Sequence, residues 1–225
     1  MIKAVLWDFG GVFTTSPFEA FNRYEAEHGI PLDFIRSVNA TNPHDNAWAQ
    51  FESSQVDIAE FDTLFAAETE AAGHRIAGID VLNLLSGDVR PRMITALGLI
   101  KEKYRVGCIT NNVQGAGEGP GMSSDAVKAA QVADILSQFD VVIESSKVGM
   151  RKPDPRIYEL ACKEMSVDPA EALFIDDLGI NLKPARAMGM ATIKVVSEAQ
   201  ALADLSELLS LELPRAGELP GEEPA

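Results

Sequence analysis

Residues Ala4-Val5-Leu6-Trp7-Asp8-Phe9-Gly10-Gly11-Val12 constrain the chain more than any other stretch. An apolar run leads straight to one carboxylate, and two glycines follow. Such a run, bounded by glycines, reads as a fully buried strand of a parallel sheet. In open α/β sheets the ligand crevice lies beyond the carboxyl ends of the strands. Asp8 therefore falls where chemistry is expected, as a candidate nucleophile. The glycines carry no Cβ, so backbone can approach a ligand closely there.

After Asp8 the character of the chain changes. Ser16-Pro17 reads as an N-cap and first helical position. Phe18, Phe21 and Tyr24 then form a helical apolar stripe, broken at Gly29-Ile30-Pro31. Several short helices are expected up to Gly87, among them Asp45 to Glu52, and Asp57 to Ala72 with Phe61, Leu64 and Phe65 inward. No strand pattern interrupts them. From Met93 onward, helices alternate with strands expected at 104–109, 139–143, 172–175 and 191–196. Alternation of this kind predicts a parallel sheet covered on both faces. The expected organisation is an α/β, Rossmann-like core at 1–14 and 89–212, an inserted α-helical cap at 15–88, and a disordered tail at 213–225. The glycine-rich stretch from Val113 to Ser124 is expected to be a mobile loop. It is no P-loop, because it lacks a terminal Gly-Lys-Ser/Thr.

Composition narrows the partners. The formal net charge of −15 argues against nucleic acid or an anionic membrane surface. No apolar run approaches the ~20 residues of a membrane-spanning helix. The first residues lack the shape of a signal peptide. The only cysteines are Cys108 and Cys162, so no disulfide framework is expected and a reducing cytoplasm is the expected setting.

Four strand ends carry polar groups that a parallel sheet would bring to one edge. They are Asp8, Thr110 with Asn111, Lys152 in the loop after the third strand, and Asp176 with Asp177. Carboxylates gathered at one edge raise each other's pKa, and a divalent cation removes that conflict. Oxygen-only ligands, without cysteine or histidine, point to Mg²⁺. Asp8, the Gly10 carbonyl, Asp176 and Asp177 are the candidate ligands. Thr110, Asn111, Gly11 and Lys152 are candidates to hold phosphoryl oxygens. Phosphoryl transfer needs mainly positioning and charge neutralisation. With Asp8 as nucleophile, the set suits a small phosphorylated substrate and an aspartyl-phosphate intermediate.

The segments Asp8-Phe9-Gly10-Gly11-Val12, Ile109-Thr110-Asn111-Asn112, Lys152-Pro153-Asp154-Pro155 and Phe174-Ile175-Asp176-Asp177 resemble the four motifs of the haloacid dehalogenase (HAD) superfamily of hydrolases, in that family's order. The stretch from Asp177 to Arg186 is similar to the phosphatase-type N-terminal domain of soluble epoxide hydrolases and its bacterial relatives. The resemblance covers about the first 200 residues. It implies a Rossmann-like core with a helical cap after the first strand. It also implies Asp8 as nucleophile, Thr110 binding the transferred group, Lys152 steadying it, and Asp176 and Asp177 on Mg²⁺. One position departs: the family's phosphatases usually carry a second aspartate two residues after the nucleophile, as proton donor and acceptor, and here that position is Gly10.

Three functions follow in order of expectation. The first is a Mg²⁺-dependent phosphatase of a small phosphorylated metabolite. The second is a 2-haloacid dehalogenase-type hydrolase, against which the acidic pair Asp176-Asp177 counts. The third, motivated by Gly10, is a phosphate-binding regulatory protein without turnover. Elsewhere the plainer readings are preferred. Trp7, Trp48 and Phe51 are expected in cores, Cys108 is expected buried and inert, and His28, His44 and His74 have no metal-ligand spacing. Asn181, four residues after Asp177, is expected to order the acidic loop.

Overall fold

The computed structural model describes residues 1–85, 87–112 and 126–215. Its centre is a five-stranded parallel sheet of β1 (Ala4–Trp7), β2 (Arg105–Thr110), β3 (Val141–Glu144), β4 (Ala172–Asp176) and β5 (Ala191–Lys194), in the order β3-β2-β1-β4-β5. This is a Rossmann-like α/β fold. β1 is central, flanked by β2 and β4 in register, with Trp7 beside Cys108 on one side and Ile175 on the other.

Because side chains alternate across a strand, β1 feeds two cores. Val5 and Trp7 pack on one face with Met93, Leu97 and Ile100 of α6 (Pro91–Lys101) and Leu205 of α11 (Glu198–Leu209). Ala4 and Leu6 pack on the other face with Ile157 and Met165 of α9 (Pro155–Met165) and Ala185 of α10 (Gly179–Ala187). Burial on both faces is why the strands read as unbroken apolar runs.

Five helices lie between β1 and α6: α1 (Pro17–Glu27), α2 (Phe34–Ala40), α3 (Ala47–Glu52), α4 (Ile58–Ala71) and α5 (Gly78–Asn83). They form the inserted cap, with a core of their own built on Phe21, Phe51, Phe61 and Phe65. Glu25 is fully buried in it and accepts the backbone N–H groups of Asp33 and Ile35, which ties α1 to the start of α2. The chain leaves and re-enters the cap through two paired segments. Thr14 bridges Val89, Thr15 donates its N–H to the Asp88 carbonyl at 2.8 Å, and Arg90 donates its own to Phe13 at 2.8 Å.

Several local expectations are corrected. Ser16 does precede α1 and Pro17 is its first residue, but the Ser16 hydroxyl makes no capping bond. The Ser16 carbonyl already accepts the Glu19 N–H, at 3.2 Å. Leu64 does not face inward; it is 38% exposed. The buried face of α4 runs through Phe61, Phe65 and Thr69, and at ~100° per residue Leu64 falls about 60° outside its edge at Phe61. The expected tail begins too early, since Leu213 is buried in the sheet core. A one-turn helix, α8 (Ser145–Val148), follows β3 where only a polar loop was expected. The glycine-rich stretch 113–124 and residues 216–225 lie outside the described residues. α7 (Ala126–Ser137) completes the elements.

Candidate active site

Asp8 is the first residue past β1, and its N–H is still held by the Ile175 carbonyl of β4, at 2.8 Å. The next residues turn away, with Phe13 donating to the Phe9 carbonyl at 2.9 Å. The Asp8 carboxylate therefore stays at the sheet edge while the chain rises into the cap. Asp176 ends β4 next to it and is fully buried. Lys152 is 1% exposed and reaches both: its Nζ lies 2.7 Å from Asp8 Oδ1 and 2.8 Å from Asp176 Oδ2. The Lys152–Pro153 peptide is cis.

Each of these groups is held from behind. Asp8 Oδ1 also accepts the Phe9 N–H at 2.7 Å. Asp176 Oδ1 accepts the Leu178 N–H at 2.7 Å, and Asn181 Nδ2 donates to both Asp176 oxygens at 3.1 and 3.0 Å. Tyr158 in turn donates to the Asn181 carbonyl at 2.7 Å. Both Asp176 oxygens thus accept from protein donors. Asp177 is the acid of the pair that lines the open cavity.

The electrostatics are unbalanced. Asp8, Asp176 and Asp177 each offer an oxygen within 4.8 Å of the others. Burial, opposed by Lys152 and reinforced by Asp176 and Asp177, pushes the Asp8 carboxyl well above the usual carboxylate range. Burial and then the Asp176 charge push Asp177 up to about 6. Burial works against the Lys152 charge, but Asp176 and Asp8 outweigh it and hold the lysine firmly protonated. One ammonium facing three clustered acids leaves a deficit of positive charge. An all-oxygen donor set with such a deficit fits a hard divalent cation.

Gly10 and Gly11 serve different ends. A Cβ on Gly11 would lie 2.3 Å from Asp177 Oδ2, and Gly11 adopts φ +73°, so only glycine fits there. The close approach it permits is that of the Asp177 carboxylate. Arg90 fixes this turn by donating to the Gly11 carbonyl at 2.8 Å. A Cβ on Gly10 would meet nothing within 4 Å. Gly10 lines the cavity, so the position of the missing acid is open space.

Thr110 ends β2 and lines the same cavity. Asn111 also reaches it, but its side chain is occupied. Its Oδ1 accepts the Lys152 N–H at 2.8 Å and its Nδ2 donates to the Lys152 carbonyl at 3.0 Å. The Asn111 side chain is thereby a clamp on the lysine's backbone. Asn112 similarly fastens β2 to α8, through Ser145, Ser146 and Glu144.

The cavity measures about 390 Å³ and lies between the sheet edge and the cap. Its floor is Asp8, Gly10, Thr110, Lys152 and Asp177, and Phe18, Trp48 and Leu85 contribute an apolar wall from the cap. Two lining residues were not singled out from sequence. Glu52 ends α3 and pairs with Arg151, Nη2 to Oε2 at 2.5 Å. Acids and arginines on short helices and loops read as solvated, and only their partners across 99 positions of chain reveal them.

Residues 2–189 match the haloacid dehalogenase-like hydrolase family. The chain belongs to that family. Among curated relatives, bifunctional epoxide hydrolase 2 of Mus musculus is 28% identical over 227 residues, which cover 96% of this chain but 40% of that protein. The chain thus spans about two fifths of that relative. The phosphatase MT3486 of Mycobacterium tuberculosis (strain CDC 1551 / Oshkosh) is 28% identical over 92% of this chain and 95% of its own. A HAD family enzyme of Bacteroides thetaiotaomicron, solved in complex with magnesium and inorganic phosphate, superposes with a TM-score of 0.55 at 23% identity, over 86% of this chain and 94% of its own. That likeness is one of fold. No helix among the described residues is long and apolar enough to cross a membrane.

Proposed function

We propose that this family member is a Mg²⁺-dependent phosphatase of a small phosphorylated metabolite, acting through an aspartyl-phosphate on Asp8. The observation that carries this reading is the Lys152 bridge, with its Nζ 2.7 Å from Asp8 and 2.8 Å from Asp176, on the floor of a cavity that Asp177 also lines. Mg²⁺, held by Asp8, the Gly10 carbonyl, Asp176 and Asp177, would supply charge neutralisation for the acids and for the phosphoryl group. A similar family member has been solved with magnesium and inorganic phosphate, and a similar curated protein is a phosphatase.

The chain's own residues divide the remaining work. Asp8 Oδ1 is held by Phe9 and Lys152, and among the described residues no hydrogen bond engages Oδ2. Oδ2 is thus the attacking oxygen. It forms a bond to phosphorus while the bond from phosphorus to the ester oxygen breaks and that oxygen takes a proton from solvent water; a second water then cleaves the acyl phosphate, releasing inorganic phosphate and a proton and restoring the carboxylate. Lys152 and Thr110 offer donors to the phosphoryl oxygens. The apolar wall of Phe18, Trp48 and Leu85 receives the rest of the substrate and excludes water from the reaction.

Aryl phosphate turnover that disappears with EDTA and with Asp8→Asn supports this reading. Full turnover in Asp8→Asn overturns the mechanism. Metal-free release of halide from a 2-haloacid would place the dehalogenase reading first. The open space at Gly10 favours a second reading, a phosphate-binding protein without turnover. Tight phosphate-ester binding with no hydrolysis across a metabolite panel would select it.

A further inference from the structure

Glu52 is an acid in a poor place. It is 7% exposed and sits at the C-terminal end of α3, where the helix dipole opposes a negative charge. Burial of a carboxylate is costly unless it is paired and hydrogen-bonded. Here every oxygen is engaged. Oε1 accepts from Trp48 Nε1 at 3.0 Å. Oε2 accepts from Arg151 Nη2 at 2.5 Å and from Asn111 Nδ2 at 3.3 Å.

The two core partners of Oε2 are the residues that frame Lys152. Arg151 precedes it in the chain. Asn111 brackets it, taking its N–H at 2.8 Å and donating to its carbonyl at 3.0 Å. Arg151 is further anchored to the cap by donating to the Pro43 carbonyl at 2.9 Å. The lysine's other end, Nζ, touches Asp8 and Asp176. A continuous chain of contacts therefore runs from a cap carboxylate, through Asn111 and Arg151, to the ammonium on the nucleophile.

We infer that Glu52 is a positioning residue: from the cap, it holds Arg151 and Asn111 so that Lys152 is set on Asp8. The inference rests on the phosphatase reading for its catalytic consequence. Its geometric part concerns the Lys152 ammonium and stands apart from turnover. Polar neighbours one layer behind a reacting group contribute on the order of 10–100-fold when removed. Glu52→Gln keeps the shape and the acceptor oxygen but drops the charge that pairs with Arg151. Glu52→Ala removes both.

The test compares Glu52→Gln and Glu52→Ala with Glu68→Gln as a control. Glu68 caps α3 within the helical insertion, accepting the Ala47 N–H at 2.8 Å, and touches none of the lysine's partners. Three quantities are measured: kcat and KM for an aryl phosphate with Mg²⁺, Tm, and the nitrogen-edited NMR signal of the Lys152 ammonium. Among the described residues Lys152 is the buried lysine, so its ammonium protons are the ones protected from exchange. The expected result is a kcat lower by on the order of 10–100-fold in Glu52→Gln, with KM nearly unchanged and the ammonium signal lost or shifted. Glu68→Gln lowers Tm and leaves kcat and the signal as in the wild type. A Glu52→Gln protein that keeps wild-type kcat and an unshifted signal overturns the inference, whatever its Tm. Should Glu52→Ala fail to fold, the isosteric variant decides. If the wild type hydrolyses no phosphate ester, the phosphatase reading falls, and the ammonium signal alone decides the role of Glu52.

Discussion

Gly11 and Asp177 touch so closely that the glycine has no room for a side chain: a Cβ there would stand 2.3 Å from Asp177 Oδ2. The backbone also takes φ +73°, where a Cβ costs about 1–2 kcal/mol. Gly11→Ala should therefore displace Asp177, one of the two acids of the cluster that line the cavity, while leaving the sheet intact. Its expected phenotype is a Mg²⁺ affinity weaker by on the order of 10–100-fold, with a modest fall in Tm. Calorimetric titration with Mg²⁺ checks this. An unchanged affinity would show that Asp177 is no ligand.

The adjacent glycine predicts the opposite behaviour. A Cβ at Gly10 meets nothing within 4 Å, and its φ is outside the left-handed region. Gly10→Asp should fold normally and supply a proton donor at that position. General acid–base help is worth roughly 10²–10⁴-fold. Turnover of an alkyl phosphate, whose leaving group needs a proton, should rise more than that of an aryl phosphate. Equal activity of wild type and variant on both esters would mean that protonation is already supplied from elsewhere.

Lys152 is a structural as well as a chemical group. Removing it leaves Asp8 and Asp176 buried and unpaired, and breaking a buried pair costs about 3–5 kcal/mol. Lys152→Met should unfold at a distinctly lower denaturant concentration, and Mg²⁺ should recover part of the loss by neutralising the same acids. Urea titrations with and without Mg²⁺ measure both effects.

The raised acids set a pH dependence. Asp177 titrates at about 6 in the folded, metal-free chain, above the 3.8 of an ordinary aspartate. Between those values the folded state holds a proton that the unfolded state has released. Metal-free stability should therefore fall as pH rises through this window, and the raised Asp8 carboxyl acts in the same direction. Metal binding requires the ionised form, so the Mg²⁺-induced increase in Tm should shrink as pH falls through about 6. Thermal melts from pH 5 to 8, with and without Mg²⁺, test the sign of both trends.

The sheet and the floor of the cavity could be read from sequence because their signals are local. Each strand is an apolar run that stops at a polar residue, and parallel pairing places such stops together. The cap could be read as helical for the same reason, through the spacing of its phenylalanines. The clamp of Asn111 on Lys152 could not be read, because its partner is the lysine's main chain, which leaves no mark in side-chain pattern. Gly11 was read as permissive, and rightly so, but what it admits is Asp177, which is 166 residues away in the chain. Glu52 was passed over because an acid near the end of a short helix is ordinarily a solvated one. Leu64 shows the limit in the other direction: an apolar residue near the core stripe was assigned inward, and a small rotation about α4 puts it in water.

The cap departs and returns through two segments laid side by side, Thr14-Thr15 against Asp88-Val89. Such a stalk makes the helical insertion a cassette. Its helices can be lengthened, shortened or replaced without altering the register of a single strand, while the wall they lend the cavity changes with them. The Glu52–Arg151 pair, with the bond from Arg151 to the Pro43 carbonyl, limits that freedom. A replacement cassette would dock on the same stalk, yet it would have to bring its own acid to the same spot, or leave the lysine beneath it adrift.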